Sequence, residues 1–103
     1  MTTYRVVEGW TSPIDMVLET DTGPYPITGF TVALELWKPD GSSVSLSGSL
    51  AITDDSGGIV RFSAATGDFK EGEYHGRVKT TDGSGKNAYW PNGEPDVWKV
   101  YKP

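Results

Sequence analysis

The side chains of this chain that could do chemistry are one histidine, His75, several serines and fourteen carboxylates. A serine-type triad needs a histidine placed between a nucleophile and a carboxylate. The sequences around Ser42, Ser56 and Ser63 contain no Gly-x-Ser-x-Gly, the turn that presents such a nucleophile. One imidazole in a chain without cysteine is also a poor set of zinc ligands. We therefore expect no enzymatic activity, no catalytic residue, no metal and no cofactor.

An aspartate-rich stretch, Asp54-Asp55-Ser56-Gly57-Gly58, has the composition of a calcium loop. It lacks the alternating oxygen ligands and the terminal glutamate of the known loops. Aspartate followed by glycine also forms β-turns, because the carboxylate accepts hydrogen bonds from the backbone two residues on. We therefore interpret this stretch as a β-turn.

Four tryptophans are the feature with the most functional content. Trp37 is out of phase with the apolar face of its predicted strand, Trp90 adjoins a proline-rich segment, and Trp10 follows a glycine in a loop. A tryptophan in such a position either packs beneath a loop or presents a binding surface. We name Trp90, Trp37 and Trp10 as candidate interface residues, which would anchor a protein partner or stack on sugar rings. An alternative for Trp90 is that it caps the open end of the fold against Trp10.

Turn signals cut the chain at intervals of about ten residues, the spacing typical of β-sandwiches. They are Asp40-Gly41, Ser56-Gly57-Gly58, Asp82-Gly83 and Asn92-Gly93. Apolar and polar residues alternate between them, and helix signals are nearly absent. We predict one domain over residues 1–103, an all-β, immunoglobulin-like antiparallel β-sandwich of seven to eight strands. The predicted strands cover residues 3–8, 14–20, 28–38, 44–52, 58–64, 72–81, 86–90 and 96–102.

The segment Gly72-Glu73-Tyr74 follows a loop and opens the predicted strand 72–81. A Gly-x-Tyr step in this position resembles the tyrosine corner of immunoglobulin-like sandwiches, in which the phenol bonds back to the backbone. We expect Tyr74 to be buried, with its hydroxyl bonded to the loop before Gly72. Antibody domains have cysteine two residues after this tyrosine, whereas this chain has Gly76, so the architecture is indicated and antibody membership is not.

Two turns near the C-terminus carry finer predictions. Thr81-Asp82-Gly83-Ser84 is expected to form a hairpin turn, because Asp-Gly tolerates the positive φ that such turns require. Pro91 and Pro95 cannot donate to a sheet ladder, so the segment between them must leave the sheet and carry Trp90 to the sheet margin. The last strand is short and contains lysine, which is typical of a guarded sheet edge.

The charge balance argues against two classes of partner. Nine basic against fourteen acidic residues give a net charge of −5, and the Lys and Arg residues stand singly, so we expect no nucleic-acid binding. The longest apolar stretch, residues 27–37, is interrupted by polar residues such as Glu35, so we expect no membrane binding. The first residues lack the layout of a signal peptide, and the absence of cysteine favours folding in a reducing cytosol.

Several short segments together resemble one known family. They are residues 9–18, Gly29-Phe30-Thr31-Val32, Lys38-Pro39-Asp40-Gly41, Gly58-Ile59-Val60-Arg61-Phe62, Gly72-Glu73-Tyr74 and residues 91–98. Their order is similar to that of small immunoglobulin-like domains of tailed phages and prophages, of the type at the N-terminus of upper baseplate proteins. The resemblance extends from about Tyr4 to Tyr101.

The resemblance implies a structural role in a virion. The chain would dock to other tail or baseplate proteins, or to further copies of itself in a homo-oligomer, after assembly in the cytoplasm of the bacterial host. It supplies no catalytic residue. The alternative from another class is a carbohydrate-binding module that uses exposed tryptophans.

Overall fold

The computed structural model describes residues 2–20 and 22–103, and these contain eleven β-strands. In chain order they are β1 (Thr3–Val7), β2 (Ile14–Val17), β3 (Glu19–Thr20), β4 (Gly23–Pro24), β5 (Thr31–Trp37), β6 (Ser43–Val44), β7 (Ser49–Asp54), β8 (Ile59–Ser63), β9 (Gly72–Thr81), β10 (Asn87–Trp90) and β11 (Asp96–Tyr101). No helix in the described part of the chain is long and apolar enough to cross a membrane.

The strands form a β-sandwich of two unequal sheets. The larger sheet has the order β1-β11-β9-β5-β6, with β10 also paired to β9, and the smaller sheet has the order β2-β8-β7. Strands β3 and β4 form a separate two-stranded ladder. Side chains from both sheets meet in one core, to which the smaller sheet contributes Val60 and Phe62 and the larger sheet Val78 and Trp98. The alternation of apolar and polar residues therefore places one face of each sheet inside.

Strand β9 lies at the centre of the larger sheet. One side pairs with β5, from Thr31 opposite Thr81 to Trp37 opposite His75. The other side pairs with β10 along residues 78–81 and with β11 along residues 72–76. Two short strands share one side of β9 because the segment 91–95, which begins after a cis Trp90–Pro91 bond, leaves the ladder between them.

The core is built around the indole of Trp98, which is 1% exposed. Its ring stacks on Tyr4 at 4.3 Å and on Phe69 at 5.6 Å. A Cβ at Gly76 would lie 2.7 Å from the indole nitrogen of Trp98 and 2.5 Å from a methyl of Leu36. Any side chain at position 76 would therefore collide with Trp98 and Leu36, and only glycine leaves the space that they fill.

The predicted number of seven to eight strands is wrong, because the structure has eleven. The predicted strand 14–20 is divided at Leu18, whose amide bonds to the carbonyl of Gly58 and whose carbonyl accepts from Tyr25. The predicted region 44–52 is divided because Ser47 and Gly48 donate to the Asp68 carboxylate instead of to a neighbouring strand. The pairing of β4 with β3 adds the eleventh strand.

Two further expectations need correction. The sandwich is not purely antiparallel, because β1 pairs with β11 in parallel, and this pairing makes β11 an interior strand and not a guarded edge. The hairpin after β9 has a five-residue connection, and its positive φ lies at Gly85, at 87°, and not at Gly83. Asp82 holds this longer loop closed, because its carboxylate accepts from the amides of Ser84 and Lys86.

The loop before β9 has the geometry of a tyrosine corner. Tyr74 is 7% exposed, and its hydroxyl donates to the carbonyl of Lys70 at 2.8 Å. Gly72 has a φ of 145°, which glycine adopts without strain, and this turn brings the backbone of the loop over the phenol ring.

Asp68 fastens the same loop to the segment between β6 and β7. Asp68 is 8% exposed. Its carboxylate accepts hydrogen bonds from the amides of Ser47, Gly48 and Ala65 at 2.7–2.8 Å. Burial of the carboxyl acts to raise its pKa, but the three amide donors outweigh burial and hold the pKa below the ordinary value. The ionised form of Asp68 therefore stabilises the fold.

Tyr74→Phe should lower the free energy of unfolding by about 0.5–1.5 kcal/mol, because one net hydrogen bond is lost while the ring remains. Tyr74→Ala should lower it by about 3–5 kcal/mol, because the buried ring leaves a cavity. Urea denaturation of the three proteins measures both differences. A Tyr74→Phe protein as stable as the wild type would contradict the role of the hydroxyl.

Asp68→Ala should lower the free energy of unfolding by at least about 2 kcal/mol, because three backbone donors lose their acceptor. Asp68→Asn should lose less, since one oxygen remains. The folded pKa lies below the unfolded value, so the advantage of wild type over Asp68→Asn is present at neutral pH and decreases as the pH falls through the folded pKa. Urea denaturation at pH 7 and in acid tests this, and a pH-independent difference would contradict it.

Candidate functional site

The larger sheet has a face that is turned away from the core. Because side chains alternate along each strand and cross-strand partners share a face, this outer face consists of the odd-numbered residues of β1, β5, β9, β10 and β11. The even-numbered residues of the same strands include Leu36, Tyr74, Val78 and Trp98, which are buried. The smaller sheet packs on that even-numbered side, which leaves the outer face as a broad surface of mixed aromatic and charged side chains.

An ordered aromatic group lies in the middle of the outer face. Trp37 and His75 are direct cross-strand partners, and their rings stack with centroids 6.2 Å apart. The guanidinium of Arg77 lies 5.9 Å from the Trp37 ring, a cation–π contact. Arg77 also donates to the carbonyl of Gly93, which fixes it between the ring and the segment 91–95. Trp37 is half-buried by these neighbours and its conformation is restricted before any partner binds.

Large apolar side chains extend the outer face to both sides of this group. Tyr89 is 39% exposed, and Tyr101 and Val7, which are direct partners in the parallel pair, are 47% and 40% exposed. Trp10, 42% exposed, follows the turn after β1, where its amide bonds to the carbonyl of Val7. Aromatic residues at such positions are typical of protein interfaces.

The outer face has a different charge from the rest of the chain. Its charged residues are Arg5, Arg77, Lys79 and Lys99 against Glu35 and Glu73. The face therefore carries a net +2, and the five basic and twelve acidic residues elsewhere give −7. Within the described residues, none of the four cations forms an ion pair; the ion pair present joins Arg61 and Asp15 on the smaller sheet, at 2.7 Å.

The structure separates the three predicted interface tryptophans. Trp37 lies on the outer face and Trp10 beside one end of it. Trp90 points to the inner side, opposite Val78, with its ring 4.5 Å from Tyr25 and its indole N–H donating to the Thr80 hydroxyl at 3.2 Å. The partner of Trp90 is thus Tyr25 and not Trp10.

Sequence reasoning missed Val7, Tyr101, Lys79 and Lys99 as members of this surface. Lys79 could have been found, because it lies two residues from Arg77 on the same predicted strand. Lys99 and Tyr101 join the surface through the pairing of β11 with β9. Val7 joins it only through the pairing of β1 with β11, which no local sequence signal indicates.

His75 is placed by the stack with Trp37. Among the hydrogen bonds of residues 2–20 and 22–103, none involves its imidazole, and no group of three His, Asp or Glu side chains in these residues is arranged to hold a metal ion. His75 therefore contributes to the outer face through the stacking of its imidazole ring on Trp37.

A second surface, which shares Tyr89 with the outer face, lies beside the exposed edge of Trp90. It is a groove of about 660 Å³ lined by Glu19, Thr20, Asn87, Ala88, Tyr89, Trp90, Pro91 and Asn92. Two aromatic rings with amide and carboxylate groups are a lining that can both stack on a small polar ligand and orient it. A larger groove of about 730 Å³, between the loop after β5 and the loop before β9, has a mixed lining of small, apolar and charged residues, the exposed charged ones being Lys38, Asp40, Lys70, Glu71 and Glu73.

Comparison with known proteins gives information on the fold alone. No protein-family model matches the chain, and no curated protein matches it significantly. Among solved structures, the chain is similar to CopC from Methylosinus trichosporium OB3b, with a TM-score of 0.57 and 10% sequence identity over 99% of this chain and 86% of that chain. CopC is a β-sandwich, which agrees with the two packed sheets described above.

Trp90→Ser should lower the free energy of unfolding by about 3 kcal/mol, because it removes the contact with Tyr25 and leaves the buried Thr80 hydroxyl without its partner. Trp37→Ser is the matched control, and should cost about 1 kcal/mol or less, since its partners are on the outer face. Urea denaturation measures both. Equal losses in the two variants would contradict the assignment of Trp90 to the inside and Trp37 to the outside.

Proposed function

We propose that this chain is a non-enzymatic structural module of a tailed phage or prophage that acts through protein–protein contacts. The observation that carries the proposal is the outer face of the larger sheet. It presents a conformationally restricted Trp37 in contact with Arg77, and it also carries Lys79, Lys99, Tyr89 and Tyr101. Tryptophan, tyrosine and arginine are the residues that contribute most at protein interfaces, and an aromatic anchor that is already ordered loses little entropy on binding.

The phage assignment is supported by the resemblance of the sequence to immunoglobulin-like domains of tail and baseplate proteins. Gly72 and Tyr74, which are part of that resemblance, form the corner that immunoglobulin-like sandwiches have before their sixth strand. In this proposal the chain is assembled in the cytoplasm of the bacterial host and works in the virion, in contact with other tail or baseplate proteins or with copies of itself.

The test is incorporation into particles. We expect the chain to be found by mass spectrometry in purified phage particles made by the genome that encodes it. The double variant Lys79→Glu/Lys99→Glu should reduce incorporation at least about tenfold, which corresponds to about 1.4 kcal/mol of lost contact energy. Lys38→Glu/Lys70→Glu, the same charge change away from the outer face, is the control and should incorporate normally. Absence of the wild-type chain from particles would refute the virion role.

The groove beside Trp90 supports a second candidate function, a carbohydrate-binding module for sugars of the host surface. Its lining offers Tyr89 and the edge of Trp90 for stacking, and Asn87 and Asn92 for hydrogen bonds. Binding to a glycan array that is lost in Tyr89→Ala and retained in Lys79→Glu/Lys99→Glu would favour this candidate. Tyr89 is the better probe because Trp90 also stabilises the fold.

A further inference from the structure

We infer that the partner of the outer face is a second copy of this chain, bound head to tail through an acidic end of the sandwich. This inference rests on the proposed function and adds the identity of the partner. We define the acidic end as residues 18–20 and 54–58, which lie together because Leu18 bonds to Gly58. Glu19, Asp54 and Asp55 are its exposed carboxylates.

Charge complementarity favours this arrangement over a face-to-face dimer. The outer face carries +2, so two outer faces in contact would repel, whereas the rest of the chain carries −7. The basic residue nearest to the acidic end in sequence is Arg61, three residues after Gly58, and its charge is paired with Asp15. Within the described residues, the carboxylates of Glu19 and Asp55 form no ion pair.

The acidic end also offers apolar surface to the aromatic group of the outer face. Val17, 51% exposed, lies opposite Ile59 on the outer side of the smaller sheet and directly precedes Leu18. An exposed valine beside carboxylates is complementary to a face that presents Trp37 and Tyr89 beside cations. The two surfaces adjoin at the groove that Glu19 and Tyr89 both line, but they are different parts of the chain. A head-to-tail contact therefore leaves one surface of each copy free for the next, and it builds a ring or a filament.

The test uses two variants that each remove one side of the contact. Lys79→Glu/Lys99→Glu reverses the charge of the outer face, and Glu19→Lys/Asp55→Lys reverses the charge of the acidic end. Lys38→Glu/Lys70→Glu is the control with the same charge change elsewhere. Circular dichroism and thermal melting first establish that all three are folded, and sedimentation velocity then measures association of the purified chains.

We expect the wild type and the control to form oligomers at about 0.01 M ionic strength and to dissociate at about 1 M, where charges are screened within about 3 Å. Each contact variant alone should be monomeric. An equimolar mixture of the two contact variants should associate again, because the charge reversed in each protein is opposite to the charge of the matching surface on the other.

Two results would overturn the inference. One is a wild type that stays monomeric at low ionic strength. The other is a Glu19→Lys/Asp55→Lys protein that still dimerises alone, since that would show a face-to-face contact. If the wild type is monomeric but Lys79→Glu/Lys99→Glu abolishes incorporation into particles, the partner is a different tail protein; self-association fails in that case and the proposed function stands. If the wild type self-associates in solution but is absent from particles, the inference of self-association stands and the proposed virion function fails.

Discussion

The packing of Trp98 over Gly76 is the interaction on which the rest of the structure depends. The indole lies between Tyr4 of β1 and Phe69 of the loop before β9, so one side chain joins two strands and a loop. It reaches this position only because Gly76 of β9 has no side chain in the space that the ring fills. A larger residue at 76 would displace Trp98 and, with it, the parallel pairing of β1 to β11.

The position of β11 then determines the arrangement of the outer face. Since β11 occupies β9 along residues 72–76, β10 can pair only with the remaining part of β9, and the segment 91–95 must pass out of the sheet between them. The carbonyl of Gly93 in this segment accepts a hydrogen bond from Arg77, which in turn lies against Trp37. A packing constraint in the core is thereby linked to the conformation of the aromatic group on the surface.

Sequence reasoning located most strands because local alternation of apolar and polar residues is a property of each strand alone. It also placed the segment between Pro91 and Pro95 outside the ladder, since proline has no amide to donate. It could not find the pairing of β1 with β11, whose members are 94 positions apart at Thr3 and Val97. Nor could it find that Asp68 divides the region after β6, because that depends on amides about twenty residues away in the chain.

The net charge of the chain also shows what the sequence alone cannot predict about function. A net charge of −5 predicts that two copies of the chain repel each other, so the total charge alone argues against self-association. Interactions between charges are screened within about 10 Å at ordinary ionic strength, so the local arrangement decides what two touching surfaces experience. Arg5, Lys79 and Lys99 come from three different strands, and only the order of strands in the sheet brings them to one face. An acidic protein can therefore present a basic surface to its own acidic end, and the composition that argues against nucleic-acid binding is compatible with binding to itself.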